Sequence, residues 1–108
     1  MRFKHVSGLC KYLGEVAQQD VIYKKTGRWV YKPRDFTAEE KKGALLRARG
    51  INDVLKAADK RTWSEVLAIL RYYMPETHIG FKMQDAIIKT CSASGITIKM
   101  DEKKEAAE

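Results

Sequence analysis

The chain has little of what metal, disulfide and catalytic sites are built from. Its 108 residues include two cysteines, two histidines and two prolines. Cys10 and Cys91 are separated by eighty intervening residues, each inside an apolar helical pattern, so they read as small buried hydrophobes rather than a disulfide framework. With His5 and His78 they are the only soft metal ligands, and no two have the two-to-four spacing of structural zinc sites. No metal is expected. A Cys91–His78 nucleophile and base would lack a third orienting group and an oxyanion-hole signature, and Cys91 lies on an apolar stripe. The seven glycines are scattered singly, which excludes the phosphate-cradling motifs of Walker and dinucleotide sites. The expectation is a non-enzymatic protein with no cofactor.

Long apolar runs are also missing, and none approaches the roughly 20 residues that cross a bilayer. Near the start, Lys11 and Glu15 interrupt the unbroken apolar run that a secretory signal needs. The reading is a soluble cytoplasmic protein with reduced thiols and no membrane contact.

Positive charge is abundant. The formal net charge is +7, and its distribution is uneven. Residues 1–36 carry eight Lys/Arg against three Asp/Glu, residues 37–80 eight against six, and residues 81–108 five against five. The surplus belongs mainly to the first third. There, residues 24–34 hold five cations and no acid: Lys24, Lys25, Arg28, Lys32 and Arg34. Tyr23, Trp29 and Tyr31 are interleaved with them around Thr26-Gly27, a pair that reads as a hairpin turn between β-prone runs at 21–25 and 28–32. A two-residue loop would set Lys24 opposite Trp29, Tyr23 opposite Val30 and Lys25 opposite Arg28, the last an unfavourable like-charge pair.

Helical periodicity frames this ribbon. Val6, Leu9, Cys10, Leu13, Val16 and Ala17 form one face of a helix at about 7–19, capped by Ser7 and weakened by Gly8 and Gly14. Thr37 and Glu40 form a capping box opening a helix over 38–58, with Ala44, Ala48, Ile51, Leu55 and Ala58 on one stripe and Gly50 as a point of breakage. Thr62 and Glu65 repeat the box before a strongly amphipathic helix over 63–74, which Pro75 ends. Met83, Ala86, Ile87, Thr90 and Cys91 mark a fourth helix at 82–91, followed by Gly95 in a left-handed turn. Ile96, Ile98 and Met100 alternate as a short strand.

The expected fold is therefore α+β: one small, mainly helical domain of about four helices over residues 1–100, with an early β-hairpin, a short late strand and a flexible charged tail at 101–108. It is not the winged-helix order, in which the wing follows the recognition helix. The loop between the third and fourth helices also lacks the short Gly-containing turn of a helix-turn-helix.

For function, Lys24, Lys25, Arg28, Lys32 and Arg34 would neutralise phosphates of DNA or RNA while Trp29 or Tyr31 stacks on a base. The competing reading is a protein-interaction module, an inhibitor or adaptor of the kind phages and mobile elements carry, whose basic ribbon docks on an acidic protein surface. Arg47, Arg49 and the other cations of 41–61 are diluted by acids and read as a solvated face. Tyr72 lies off the apolar stripe beside Arg71, a composition suited to an interface.

Overall fold

The computed structural model describes residues 2–101. Four helices account for most of them: α1 (Val6–Thr26), α2 (Ala38–Lys56), α3 (Trp63–Tyr73) and α4 (Phe81–Ala93). No strand is present among the described residues, so the expected hairpin and late strand, and with them the α+β class, are replaced by an all-helical architecture.

The largest correction lies at the end of α1. Val21, Ile22 and Tyr23 are β-prone, yet the helix runs through them to Thr26. The propensity cost of such residues in a helix is below about 0.7 kcal/mol each. Burying Ile22 against Phe36 and Ala44 outweighs it, since a fully buried aliphatic side chain contributes roughly 1.5–3 kcal/mol. Gly27 is not a hairpin turn but the left-handed C-cap of α1, at φ 76°, and its N–H donates to the Tyr23 carbonyl at 2.7 Å. Lys24 and Lys25 occupy the last turn, where cations offset the negative end of the helix dipole. At the other end Ser7 is already inside the helix, and the cap residue is His5, which makes no side-chain capping bond.

Both capping boxes form as expected. Thr37 N–H donates to Glu40 Oε1 at 2.8 Å and Glu40 N–H to Thr37 Oγ1 at 3.1 Å, with the same exchange between Thr62 and Glu65 at the start of α3. Gly50 does not break α2. A Cβ there would collide with the Tyr73 hydroxyl, so the glycine makes room for the end of α3. Gly14 does the same for α1 and α2, the most extensive helix pairing of the fold. A Cβ at Gly14 would lie 2.5 Å from the Ala44 carbonyl oxygen and 2.7 Å from Ala48 Cβ.

The main core joins all four helices, with Leu9, Leu13, Ile51, Leu55, Leu70, Met74 and Ile87 fully buried. Leu45 and Leu46, between buried Ala44 and Ile51 on α2, are exposed. Gly95 takes the left-handed conformation its position suggests, at φ 83°. Beyond it, Ile98 is buried and Met100 exposed, and the segment makes one isolated parallel bridge, Thr62 to Lys99, with Trp63 N–H donating to the Lys99 carbonyl at 2.7 Å. Asp101 accepts from the Ser64 hydroxyl and N–H at the start of α3, and those bonds hold its carboxyl below the usual range. The rest of the expected charged tail, 102–108, lies outside the described residues.

Candidate nucleic-acid interface

Past Gly27 the chain reverses and runs back beside the end of α1. Three side chains fasten it. The Thr26 hydroxyl donates to the Ile22 carbonyl at 2.8 Å and accepts from Arg28 N–H at 3.1 Å. Gln19 Nε2 donates to the Tyr31 carbonyl at 3.0 Å. Val30 packs on Ile22, Phe36 and Ala44, the small second core between α1 and α2. The segment is extended without being a strand, and its alternation survives: Val30 faces inward, and Trp29 and Tyr31 take the other side.

There the aromatic residues meet one another rather than the helical core. The Tyr23 and Trp29 rings stack with centroids 4.4 Å apart and planes 9° from parallel, and Tyr31 continues the row at 6.4 Å and 28° from Trp29. Tyr31 is 76% exposed and ends the row in solvent. Tyr23 thus pairs with Trp29, not with Val30 as the hairpin register required, and the Lys25–Arg28 pairing across a turn does not arise.

Lys24, Lys25, Arg28, Lys32 and Arg34 are all exposed. Lys24 and Lys25 are placed by the last turn of α1, Arg28 and Lys32 by the returning segment, and Arg34 by a 3-10 turn over Pro33–Asp35. Among the described residues the one ion pair within 4.0 Å is Lys89–Asp85, far along the chain on α4. None of the five cations is neutralised by such a pair.

A second feature was not foreseen. Between α1, α2 and the end of α3 lies a cleft of about 620 Å³ lined by Asp20, Lys24, Leu46, Arg47, Tyr72 and Tyr73, among others. Arg47, assigned from sequence to a solvated face, is held in place: its Nη1 donates to Gln18 Oε1 at 3.0 Å and to the Gly43 carbonyl at 3.2 Å. Asp20 is 1% exposed. Its Oδ2 accepts from Glu76 N–H at 3.1 Å and the Thr77 hydroxyl at 3.3 Å, fastening the loop after α3, while Oδ1 has no hydrogen-bond partner. Burial raises its carboxyl pKa, opposed by those two bonds and by the charge of Lys24. The sequence did carry a signal for Asp20: it continues the stripe of Val16 and Ala17 at helical spacing, which puts an acid on the apolar face of α1.

Cys10 and Cys91 are buried thiols, as their stripes suggest, and burial pushes them to about 12 and about 11. No helix among the described residues is long and apolar enough to cross a membrane. Comparison with protein-family models, with curated proteins and with solved structures finds no match to this chain.

Proposed function

We propose that the protein is a non-enzymatic nucleic-acid-binding module that contacts its ligand through the C-terminal end of α1 and the returning segment 28–34. The observation that supports this reading is the row Tyr23, Trp29 and Tyr31 with an exposed end, set among five exposed cations that have no acidic partner among the described residues. A phosphate backbone is bound by releasing condensed counterions, which requires cations free to approach it. Bases of any sequence stack on aromatic faces, so the row adds affinity with modest sequence preference.

Lys25, Arg28 and Lys32 are the informative residues to remove, because Lys24 also lines the cleft. The triple alanine variant is expected to bind single-stranded oligonucleotides of every sequence more weakly, with a salt slope smaller by about two units at roughly 0.7 per contact. An unchanged slope would refute the proposal.

A second reading has its own support. A mainly apolar pocket of about 280 Å³ lies beside Arg34, lined by Phe36, Ala44 and Leu45, with Lys11 and Lys41 outnumbering the one acid there, Glu15, a composition suited to an acidic protein surface bearing an apolar anchor. Retardation assays at physiological salt with single- and double-stranded DNA and RNA separate the two. Failure of all four to bind, with a defined acidic partner that binds wild type but not Leu45→Glu, would favour this second reading.

A further inference from the structure

Two adjacent leucines of α2 stand outside the core. Leu45 and Leu46 are 57% and 63% exposed, and successive helix residues point about 100° apart, so the pair leaves α2 on different faces. Leu45 lines the pocket beside Arg34. Leu46 lines the cleft between α1, α2 and the end of α3, and also a second depression that continues it along the α1–α2 seam towards Thr26. Val21 and Arg47 border both depressions, which makes them one groove.

The groove has an apolar floor that is held in place. Leu46 stands one turn before Gly50 on α2, and at Gly50 the Tyr73 ring lies so close that a Cβ would be 3.1 Å from its Cζ. Residues four apart on a helix are neighbours at about 5–6 Å, so Leu46 and the Tyr73 ring sit side by side in the cleft they both line. Tyr72 meets that ring edge to face at 5.7 Å and is itself 82% exposed. Val21 of α1 completes the strip. Single exposed apolar residues are ordinary, whereas a contiguous strip rimmed by charge marks an interaction surface.

The rim is positive on both sides. On α1, Lys24 and Lys25 follow Val21 by three and four residues and so share its face; on α2, Lys42 precedes Leu46 by four. All three are exposed, and none forms an ion pair within 4.0 Å among the described residues. The acids along the groove are Asp20, which is buried, and Glu39 and Glu40 at its far end, where Glu40 is committed to the Thr37 capping box.

We propose that this groove receives an acidic amphipathic helix of a partner protein, its apolar stripe laid along Val21, Leu46 and Tyr72 and its flanking carboxylates against Lys24, Lys25 and Lys42. The dimensions agree. From Lys42 to Gly50 α2 rises about 12 Å, and apolar residues at i, i+4 and i+7 of a docked helix span about 10–11 Å. A nucleic-acid strand is the other ligand for a basic groove, but Val21 and Leu46 offer neither a flat face for stacking nor a polar group to read a base edge. The docking groove stands apart from the nucleic-acid reading, whose aromatic row is Tyr23, Trp29 and Tyr31, and shares with it Lys24 and Lys25 alone.

The test is selection against the full chain from a displayed library of helices of about 16 residues, randomised along one face with both signs of charge allowed. Enriched clones should carry apolar residues at i, i+4 and i+7 flanked by Asp or Glu. As labelled peptides in fluorescence anisotropy they should bind Leu46→Ala about tenfold more weakly than wild type, Tyr72→Ala severalfold more weakly and Leu45→Ala equally well. All three substitutions fall on exposed side chains, and equal urea midpoints show that each variant is folded; Tyr72→Ala carries the test if either leucine variant is destabilised. An absence of enriched clones, clones without acidic bias, or binding indifferent to Leu46→Ala and Tyr72→Ala would overturn the groove. Loss to Leu45→Ala instead would overturn it in favour of the pocket beside Arg34. Self-association of the chain that Leu46→Ala abolishes would make the occupant a second copy and overturn the partner helix. A labelled oligothymidylate is measured beside the peptides. If it alone binds, and weakens in Tyr72→Ala, the groove belongs to nucleic acid and the docking proposal falls. If the peptides bind as expected and no oligonucleotide does, the groove stands and the nucleic-acid reading falls.

Discussion

Replacing Gly14 by alanine adds one methyl group at the point where α1 and α2 come closest, and every neighbour it would meet belongs to α2. The added carbon would lie 2.5 Å from the Ala44 carbonyl oxygen, 2.7 Å from Ala48 Cβ and 2.7 Å from Ala48 N. Ordinary contact for such pairs is about 3.5–4.0 Å, so a separation of about 1 Å is needed. None of these atoms can rotate away, and the helices themselves must part. Overpacking of this kind costs about 1–3 kcal/mol, and rigid backbone neighbours place it near the upper end. Alanine in a helix interior returns about 1 kcal/mol relative to glycine. The net expectation is a loss of about 2 kcal/mol, or roughly 10 °C in Tm for a domain of this size. Gly8→Ala is the matched control on the same helix. Its nearest neighbour would be Phe3 Cδ1 at an ordinary 3.9 Å, so the propensity gain is unopposed and the variant should be more stable than wild type by up to about 1 kcal/mol. Urea denaturation with equal m-values for the three proteins gives both differences. Equal midpoints for Gly14→Ala and Gly8→Ala would show that the α1–α2 crossing is not set by Gly14.

Asp20→Asn separates burial of charge from hydrogen bonding. Because burial raises the folded carboxyl pKa, the folded protein holds this proton more tightly than the unfolded chain, and stability falls as pH rises from the ordinary value of 3.8 through the raised one. The variant should therefore exceed wild type in urea midpoint at pH 7, with the difference vanishing towards pH 3.8; a less stable variant at pH 7 would mean that the bonds from Glu76 and Thr77 outweigh desolvation. Cys10 and Cys91, with pKa values raised to about 12 and about 11, should resist an aromatic disulfide reagent at pH 8 in the folded protein and react together once urea unfolds it. Stoichiometric labelling of the native protein within seconds would contradict that burial.

The helices with local start signals were legible from sequence. Thr37-x-x-Glu40 and Thr62-x-x-Glu65 each satisfy backbone donors within four residues, so their information is entirely local and both form as read. The end of α1 was not. Its outcome depends on Ile22 meeting Phe36 and Ala44, residues 14 and 22 positions further on, and a window that sees only Val21, Ile22 and Tyr23 finds β propensity. Thr26-Gly27 was ambiguous for a related reason. A glycine at positive φ serves a hairpin turn and a helix C-cap equally, and the discriminating cue was Lys24 and Lys25 just before it, where cations favour a helix end. Gly14 and Gly50 looked like weak points because propensity counts only the glycine's own backbone, whereas their role is to admit Ala44, Ala48 and Tyr73. Among the site residues, exposure of the five cations was legible from charge alone. The Asp20–Arg47 cleft needed three helices to be placed first.

The replacement of a hairpin by a helix end and a returning segment alters what each part of the basic surface can contribute. A hairpin would have held its backbone with a ladder and moved as one body. Here Tyr23, Lys24 and Lys25 ride on a helix packed on the second core, whereas residues 28–32 are fastened by Thr26, Gln19 and the Val30 side chain. Counterion release depends on cations reaching phosphates and does not need a hydrogen-bonded ladder behind them, so under the proposed function Arg28 and Lys32 can serve from a segment that is not a strand. Stacking is less forgiving, because a ring must be oriented before a base arrives if ordering it is not to consume the gain. The row supplies that orientation from its inner end: the helix fixes Tyr23, Trp29 lies flat against it at 4.4 Å, and Tyr31, the exposed end that a base would meet under the proposed function, continues the row outward. The row is therefore anchored at the helix and exposed on the returning segment, and Lys24, in the last turn of the same helix, also lines the cleft that holds Asp20 and Arg47.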